Sequence, residues 1–199
     1  MHSQAELVEH LIRTGILRSA ALINAFSAID RIDFIRPEYY DEAYGDFPLP
    51  IGYGQTISQP YTVAFMLEAL QAGPEDTVLD IGAGSGWTTA LLAKCVKKVT
   101  GVERIGGLVA FARENLARYR FDNASIQQAG PELGIPTQTF DKILVSAAAR
   151  QLPEALLKQL NPGGTLVIPV EHTIVVLTKA PNGEISQRDY NGFVFVPLI

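Results

Sequence analysis

The stretch Thr77-Val78-Leu79-Asp80-Ile81-Gly82-Ala83-Gly84-Ser85-Gly86-Trp87 decides the fold. A buried-strand pattern runs into three alternate glycines and then into a helical pattern over 88–96. Glycine at 82 and 84 lets the backbone turn sharply and lets a ligand approach with no Cβ in the way. The helix that follows is expected to point its free N–H groups at that ligand. The next strand-like run, Lys98-Val99-Thr100-Gly101-Val102-Glu103, ends on a carboxylate. That acid lies about 20 residues beyond the glycines, where a carboxylate can hold ribose hydroxyls. The combination reads as a nucleoside-cofactor site on an α/β sheet. A dinucleotide fingerprint GxGxxG starting at Gly82 needs glycine at 87, but the residue there is Trp87. The spacing GxGxG favours S-adenosylmethionine over a nicotinamide cofactor.

Outward from this stretch the pattern alternates. Strands are expected over 77–82, 98–103, 124–128, 141–147 and 164–170, with helices over 87–96, 106–119 and 153–160. Alternating strands and helices imply a mostly parallel, doubly wound sheet covered on both faces. Asn161-Pro162-Gly163-Gly164 is a turn signal before the last parallel strand. Two strand-like runs, 172–179 and 192–198, flank Pro181-Asn182-Gly183 and suggest an antiparallel addition at one edge. Upstream, residues 4–29 read as two short helices broken near Gly15, and 61–71 as another helix. Residues 30–60 are rich in Pro, Gly, Tyr and Asp without a sustained period. They carry too many large apolar side chains for disorder, so an ordered loop packed on the core is expected.

The 199 residues suit a single domain, 1–199, with helices and a ligand loop in 1–75 and the cofactor sheet in 76–199. Hydrophobic residues at 47% and charged residues at 19% mark a globular chain. The net charge is −5 and Lys/Arg residues cluster no further than local pairs, which argues against nucleic acid as a partner. The single cysteine, Cys95, excludes a disulfide within the chain, fits a reducing compartment and reads as a small core residue. No apolar run reaches membrane-span length. The expectation is a cytoplasmic monomer with no membrane partner and no metal site.

Beyond the glycine loop, Phe47-Pro48-Leu49-Pro50-Ile51-Gly52-Tyr53-Gly54-Gln55-Thr56-Ile57-Ser58-Gln59-Pro60 resembles the signature of the protein L-isoaspartyl (D-aspartyl) O-methyltransferase family. So do Phe140-Asp141-Lys142-Ile143-Leu144-Val145-Ser146-Ala147-Ala148-Ala149, the run from Gln159 to Val170, and the closing Phe195-Val196-Pro197-Leu198. The resemblance implies a Rossmann-like S-adenosylmethionine-dependent methyltransferase fold. It also implies repair of isoaspartyl-containing proteins or peptides by methylation of the isoaspartyl α-carboxylate. That carboxylate is ionised at neutral pH, with an ordinary pKa of about 3.3–3.9. No general base is needed, so His2, His10 and His172 need no catalytic role. The resemblance places Ser58 at the reacting centre, with Thr56 and Ile57 lining the same pocket and Tyr61 close to the cofactor. It gives Gly82 and Gly84 to the methionine part of the cofactor, Asp80 to the turn or the cofactor's amino group, and Glu103 to the ribose. Val167-Ile168-Pro169-Val170 would offer backbone to an extended substrate.

The chain departs from that family at the adenine position, where relatives carry Gly-Asp-Gly and this chain has Gln128-Ala129-Gly130. Ala129 and Gly130 then face the adenine without an acid, and Glu132 is the nearest substitute. Ala148-Ala149-Arg150 stands where Ala-Ala-Pro is common, and Glu171-His172-Thr173 follows Val170. Arg150 and Glu171 are candidates to alter substrate choice. Two other readings stay open: a family member with another carboxylate substrate, and a module that binds damaged proteins without transferring methyl.

Overall fold

The computed structural model describes residues 1–198; Ile199, the last residue of the single domain expected, lies outside them. The first two elements are helices α1 (Gln4–Arg13) and α2 (Ala20–Ala28). Ser3 caps α1 by accepting from the Glu6 amide at 3.2 Å, and the chain breaks at Gly15 with φ +75°. Each helix buries one stripe: Leu7, Val8 and Leu11 in α1, and Leu22, Ala25 and Phe26 in α2.

Residues 30–60 are ordered, as expected, but they hold more regular structure than an irregular loop. Two 3-10 turns, Arg31–Phe34 and Pro37–Glu42, precede a small antiparallel hairpin of β1 (Leu49–Gly52) and β2 (Gln55–Ile57). These strands are too short, and too interrupted by Pro50, for a period of two to register in sequence. Leu49, Ile51 and Ile57 are buried and seat the hairpin on the core. Helix α3 (Pro60–Leu70) follows, with proline at its first position.

The main sheet is built from β3 (Thr77–Ile81), β4 (Lys98–Glu103), β5 (Ala124–Gln128), β6 (Phe140–Val145), β7 (Leu160–Val170), β8 (Thr173–Lys179) and β9 (Ile185–Asn191). Their order is β5-β4-β3-β6-β7-β8-β9. The first five are parallel; β8 and β9 pair antiparallel at one edge. Helices α4 (Trp87–Ala93), α5 (Gly106–Ala117) and α6 (Glu154–Lys158) make the crossovers. The chain runs outward from β3 to β5 and then returns to β6 on the other side of β3. That reversal opens a crevice above the carboxyl ends of β3, β4 and β6. The central strands send alternate residues to opposite faces. Val78, Val99, Leu144 and Val167 join one apolar cluster, while Leu79, Ile81, Val102, Ile143 and Val145 join the other. Burial on both faces is why these strands read as apolar runs.

Two expectations need correction at the carboxyl-terminal end. The strand paired with β8 is Ile185–Asn191, not 192–198. All seven of its residues are exposed, so it carries no apolar alternation to be read. The apolar run 193–198 instead crosses the carboxyl ends of the strands. The Ala148 amide donates to Val196 O and the Leu198 amide to Ala148 O, both at 2.8 Å. The turn at 161–164 also does not precede the strand. It bulges within β7, between the pairs Phe140↔Leu160 and Lys142↔Thr165.

Gly86 shows how closely the layers meet. It caps α4 with φ +91° and ψ 5°, and a Cβ there would lie 2.6 Å from Leu116 Cδ1 of α5 and 3.2 Å from Ala112 Cβ. Gly86→Ala combines a left-handed backbone with overpacking, together costing about 2–4 kcal/mol. The melting temperature should fall by roughly 5–15 °C for a chain of this size. Calorimetry showing an unchanged melting temperature would contradict this packing.

Candidate active site

A cavity of about 260 Å³ lies above the carboxyl ends of the parallel strands. Ile81 and Gly82 come from the end of β3, Val102 and Glu103 from β4, Ala129 and Gly130 from β5, and Ser146 and Ala147 from β6. The hairpin contributes Ile51, Gln55 and Thr56 to its wall, and the tail contributes Val196, Pro197 and Leu198. A second cavity of about 690 Å³ adjoins it, lined by Pro48, Ser58, Gln59, Tyr61, Thr62 and the tail from Asn191 to Val196. Thr56, Ser146 and Val196 line both cavities, so the two meet at these three residues.

Glu103 organises the first cavity. Its Oε2 accepts from the Gly84 amide and its Oε1 from the Ile105 amide, each at 2.9 Å. One carboxylate thereby ties the glycine loop to the approach of α5. Each oxygen keeps a further lone pair for a ligand hydroxyl. The other glycine amides of the loop are occupied: Gly82, like Ala83, donates to Val102 O, and Gly86 donates to Ala83 O. The glycines therefore supply close approach rather than free N–H groups. Gly82, Gly84 and Gly86 all have positive φ, and a Cβ on Gly84 would lie 3.2 Å from Ile51 Cδ1 of the hairpin.

Asp80 is fully buried and lies outside the lining of both cavities. Its Oδ2 accepts from Thr89 Oγ1 of α4 at 2.6 Å, and its Oδ1 has no protein partner. Burial pushes its pKa up to about 6; the Thr89 hydroxyl opposes the shift and the Glu103 charge adds to it. Of the two roles expected for Asp80, the geometry supports holding the turn against α4.

The remaining expected residues divide between the cavities. Thr56, Gly82, Gly84, Glu103, Ala129 and Gly130 line the first. Ser58 and Tyr61 line the second, which adjoins the first. Ile57 faces the core because strand alternation turns it away from Thr56. Glu132 lies in the wall of the first cavity beside Ala129. Ile51, Ile105, Leu133, Ser146 and Ala147 also line that cavity and were not read from the sequence. Ser146 and Ala147 directly continue β6, and strand ends of a parallel sheet were the signal available. The hairpin is braced from outside by Arg36, whose Nε donates to Ile51 O at 2.9 Å. The same guanidinium stacks 4.0 Å from the centroid of Phe111 on α5.

Sheet order, switch-point cavity and a β4 carboxylate tied to the glycine loop fit an S-adenosylmethionine-dependent methyltransferase. Residues 2–199 match the family described as Protein-L-isoaspartate(D-aspartate) O-methyltransferase, and the chain belongs to it. A protein-L-isoaspartate O-methyltransferase from Methanopyrus kandleri is 42% identical over 99% of this chain and 91% of its own length. One from Myxococcus xanthus is 47% identical over 81% of this chain and 76% of its own. Among solved structures, a Plasmodium falciparum protein described as a protein-L-isoaspartate O-methyltransferase, in complex with S-adenosyl-L-homocysteine, superposes with a TM-score of 0.87. It is 30% identical, with 100% of this chain and 99% of that chain covered. Among the described residues no helix is long and apolar enough to cross a membrane.

Asp80 makes a pH prediction. Its pKa in the fold, about 6, lies above the ordinary 3.8. The folded state thus holds this proton more tightly than the unfolded chain. That contribution is full below about pH 4, declines as pH rises to about 6, and is gone above it. Asp80→Asn keeps an acceptor for Thr89 and removes the titration. The melting temperature should then vary less between pH 4 and 6 and rise by about 3–8 °C at neutral pH. Parallel pH profiles for parent and variant would exclude Asp80 as the titrating group.

Proposed function

We propose that this chain repairs damaged proteins by moving a methyl group from S-adenosylmethionine to the α-carboxylate of L-isoaspartyl residues. The observation that carries the reading is the meeting of two cavities at Thr56, Ser146 and Val196. Glu103 and the glycine loop stand in one, Ser58 in the other. When bound, the cofactor supplies a methyl group already activated on a sulfonium.

The chain's own residues have three tasks. Glu103 would hold the cofactor's ribose hydroxyls through the lone pairs that the Gly84 and Ile105 amides leave free. Gly82 and Gly84 would admit the cofactor against bare backbone, and Ala129 and Gly130 would border its adenine. Ser58 donates its hydroxyl to one oxygen of the substrate carboxylate, which turns the other toward the junction of the cavities. Ile51 and Val196 close the site and exclude water, which strengthens every electrostatic contact inside. Alignment of two reactants is the larger part of catalysis where no proton has to move. We further place the protein in the cytoplasm as a monomer acting without nucleic acid or membrane. The net charge of −5 and the buried free thiol of Cys95 support that placement.

S-adenosylhomocysteine should raise the melting temperature of the protein, and Glu103→Ala should remove most of that rise. No shift at saturating ligand would sink the methyltransferase reading. Ser58→Ala should lower the single-turnover rate of methyl transfer to an isoaspartyl peptide by roughly 10²-fold, with cofactor affinity nearly unchanged. Equal rates for parent and variant would leave Ser58 as a loop residue.

A further inference from the structure

We propose that Arg31 is a positioning residue for methyl transfer, a buried guanidinium that fixes the Ser58 segment against the cofactor loop. The proposal rests on the functional reading above. Arg31 opens the first 3-10 turn and is fully buried. Its Nη1 donates to Ala43 O at 2.8 Å and Gly45 O at 2.9 Å. Its Nη2 donates to Phe47 O at 2.9 Å and Ser58 O at 3.3 Å. All four acceptors are backbone carbonyls, and they come from two separate segments, 43–47 and 58. The guanidinium also lies 5.5 Å from the ring centroid of Trp87, the residue that follows the glycine loop and begins α4.

A structural need alone does not explain this choice of residue. A buried cation costs several kcal/mol of hydration, and here no carboxylate touches it. The two ion pairs among the described residues are His10–Asp46 and Arg118–Asp33. Arg31 Nε is left without a partner as well. The rigid, planar fork of arginine offers what an apolar side chain cannot: fixed angles to several acceptors at once. Asp46, within the 43–47 segment, ties that segment to α3. Its Oδ1 accepts from the Tyr61 amide at 2.8 Å, at the start of α3. The backbone of Ser58 is thus held between Arg31 and the first turn of α3, while its residue lines the second cavity. Through Trp87 the same guanidinium packs against the residue that follows the glycine loop. Arg31 therefore links the Ser58 backbone to the end of that loop and lines neither cavity.

Displacing Ser58 by about 1 Å is enough to cost roughly 10²-fold in rate. The test uses the full-length protein, S-adenosylmethionine and an isoaspartyl peptide in single turnover, with S-adenosylhomocysteine affinity measured in parallel. Arg31→Lys keeps the charge and loses the fork; its transfer rate should fall by roughly 30-fold or more, with S-adenosylhomocysteine affinity within about threefold. Arg31→Ala should lose more, and millimolar guanidinium should restore about tenfold where equal sodium chloride does not. A general loss of stability would not be relieved by millimolar guanidinium, so restoration separates positioning from scaffolding. If Arg31→Ala does not fold, the lysine variant still decides. A lysine variant with a normal rate, or with rate and cofactor affinity falling together, overturns the proposal while the functional reading stands. A parent protein that binds S-adenosylhomocysteine and transfers no methyl overturns both.

Discussion

Everything at the ligand end of this molecule depends on one carboxylate held by two amides. Glu103 ends β4, but its oxygens accept from Gly84 on the loop after β3 and from Ile105 at the approach to α5. Two parallel strands fix their carbons at one spacing, but the loops above them are not fixed by the ladder. A single side chain supplies the missing constraint. It holds the glycine loop in its left-handed turns, and those turns leave room for Ile51 to descend onto Gly84. The hairpin therefore rests on geometry that Glu103 sets. Charge-assisted hydrogen bonds of this kind are about twice as strong as neutral ones, which suits a residue with so many dependents.

The same region concentrates negative charge. Asp80 is buried beneath the loop and Glu103 is nearly so, and the charge of Glu103 adds to the cost of ionising Asp80. In an empty protein this is a standing electrostatic cost. For a site that receives a sulfonium and an ammonium group, it is also an attraction that operates at close range with little screening. Stability is reduced where function is increased, a familiar compromise at binding sites.

Much of this was legible in the sequence, and the reasons for the gaps are specific. The parallel core was readable because strands buried on both faces carry unbroken apolar runs, and Gly82, Gly84 and Glu103 were readable because their spacing follows from strand–turn–helix geometry. β9 was not, since a strand exposed along its whole length has no pattern of burial to write into its residues. The run 192–198 takes its place as the partner of β8 in a reading of the sequence, because apolar residues that roof a cavity resemble a strand interior. Arg31 was invisible for a different cause. Its acceptors are backbone carbonyls, and no residue type announces a carbonyl that needs a donor. The resemblance puts Ser58 at the reacting centre and Tyr61 close to the cofactor, and the fold adds that both line the cavity next to the one that holds the glycine loop.

The roof formed by the tail has a consequence for the order in which the molecule is made. Val196 lines both cavities and Leu198 closes the ladder to Ala148, so residues 196–198 complete a chamber begun near Ile51. Contacts of such long sequence separation form late, because loop closure must come before they stabilise anything. A nascent chain can therefore assemble its central strands while still unable to retain a nucleoside. Ligand retention is then a report that the hairpin and the 193–198 segment have both been correctly docked, so the protein acquires its grip on a nucleoside only after these two distant segments have met.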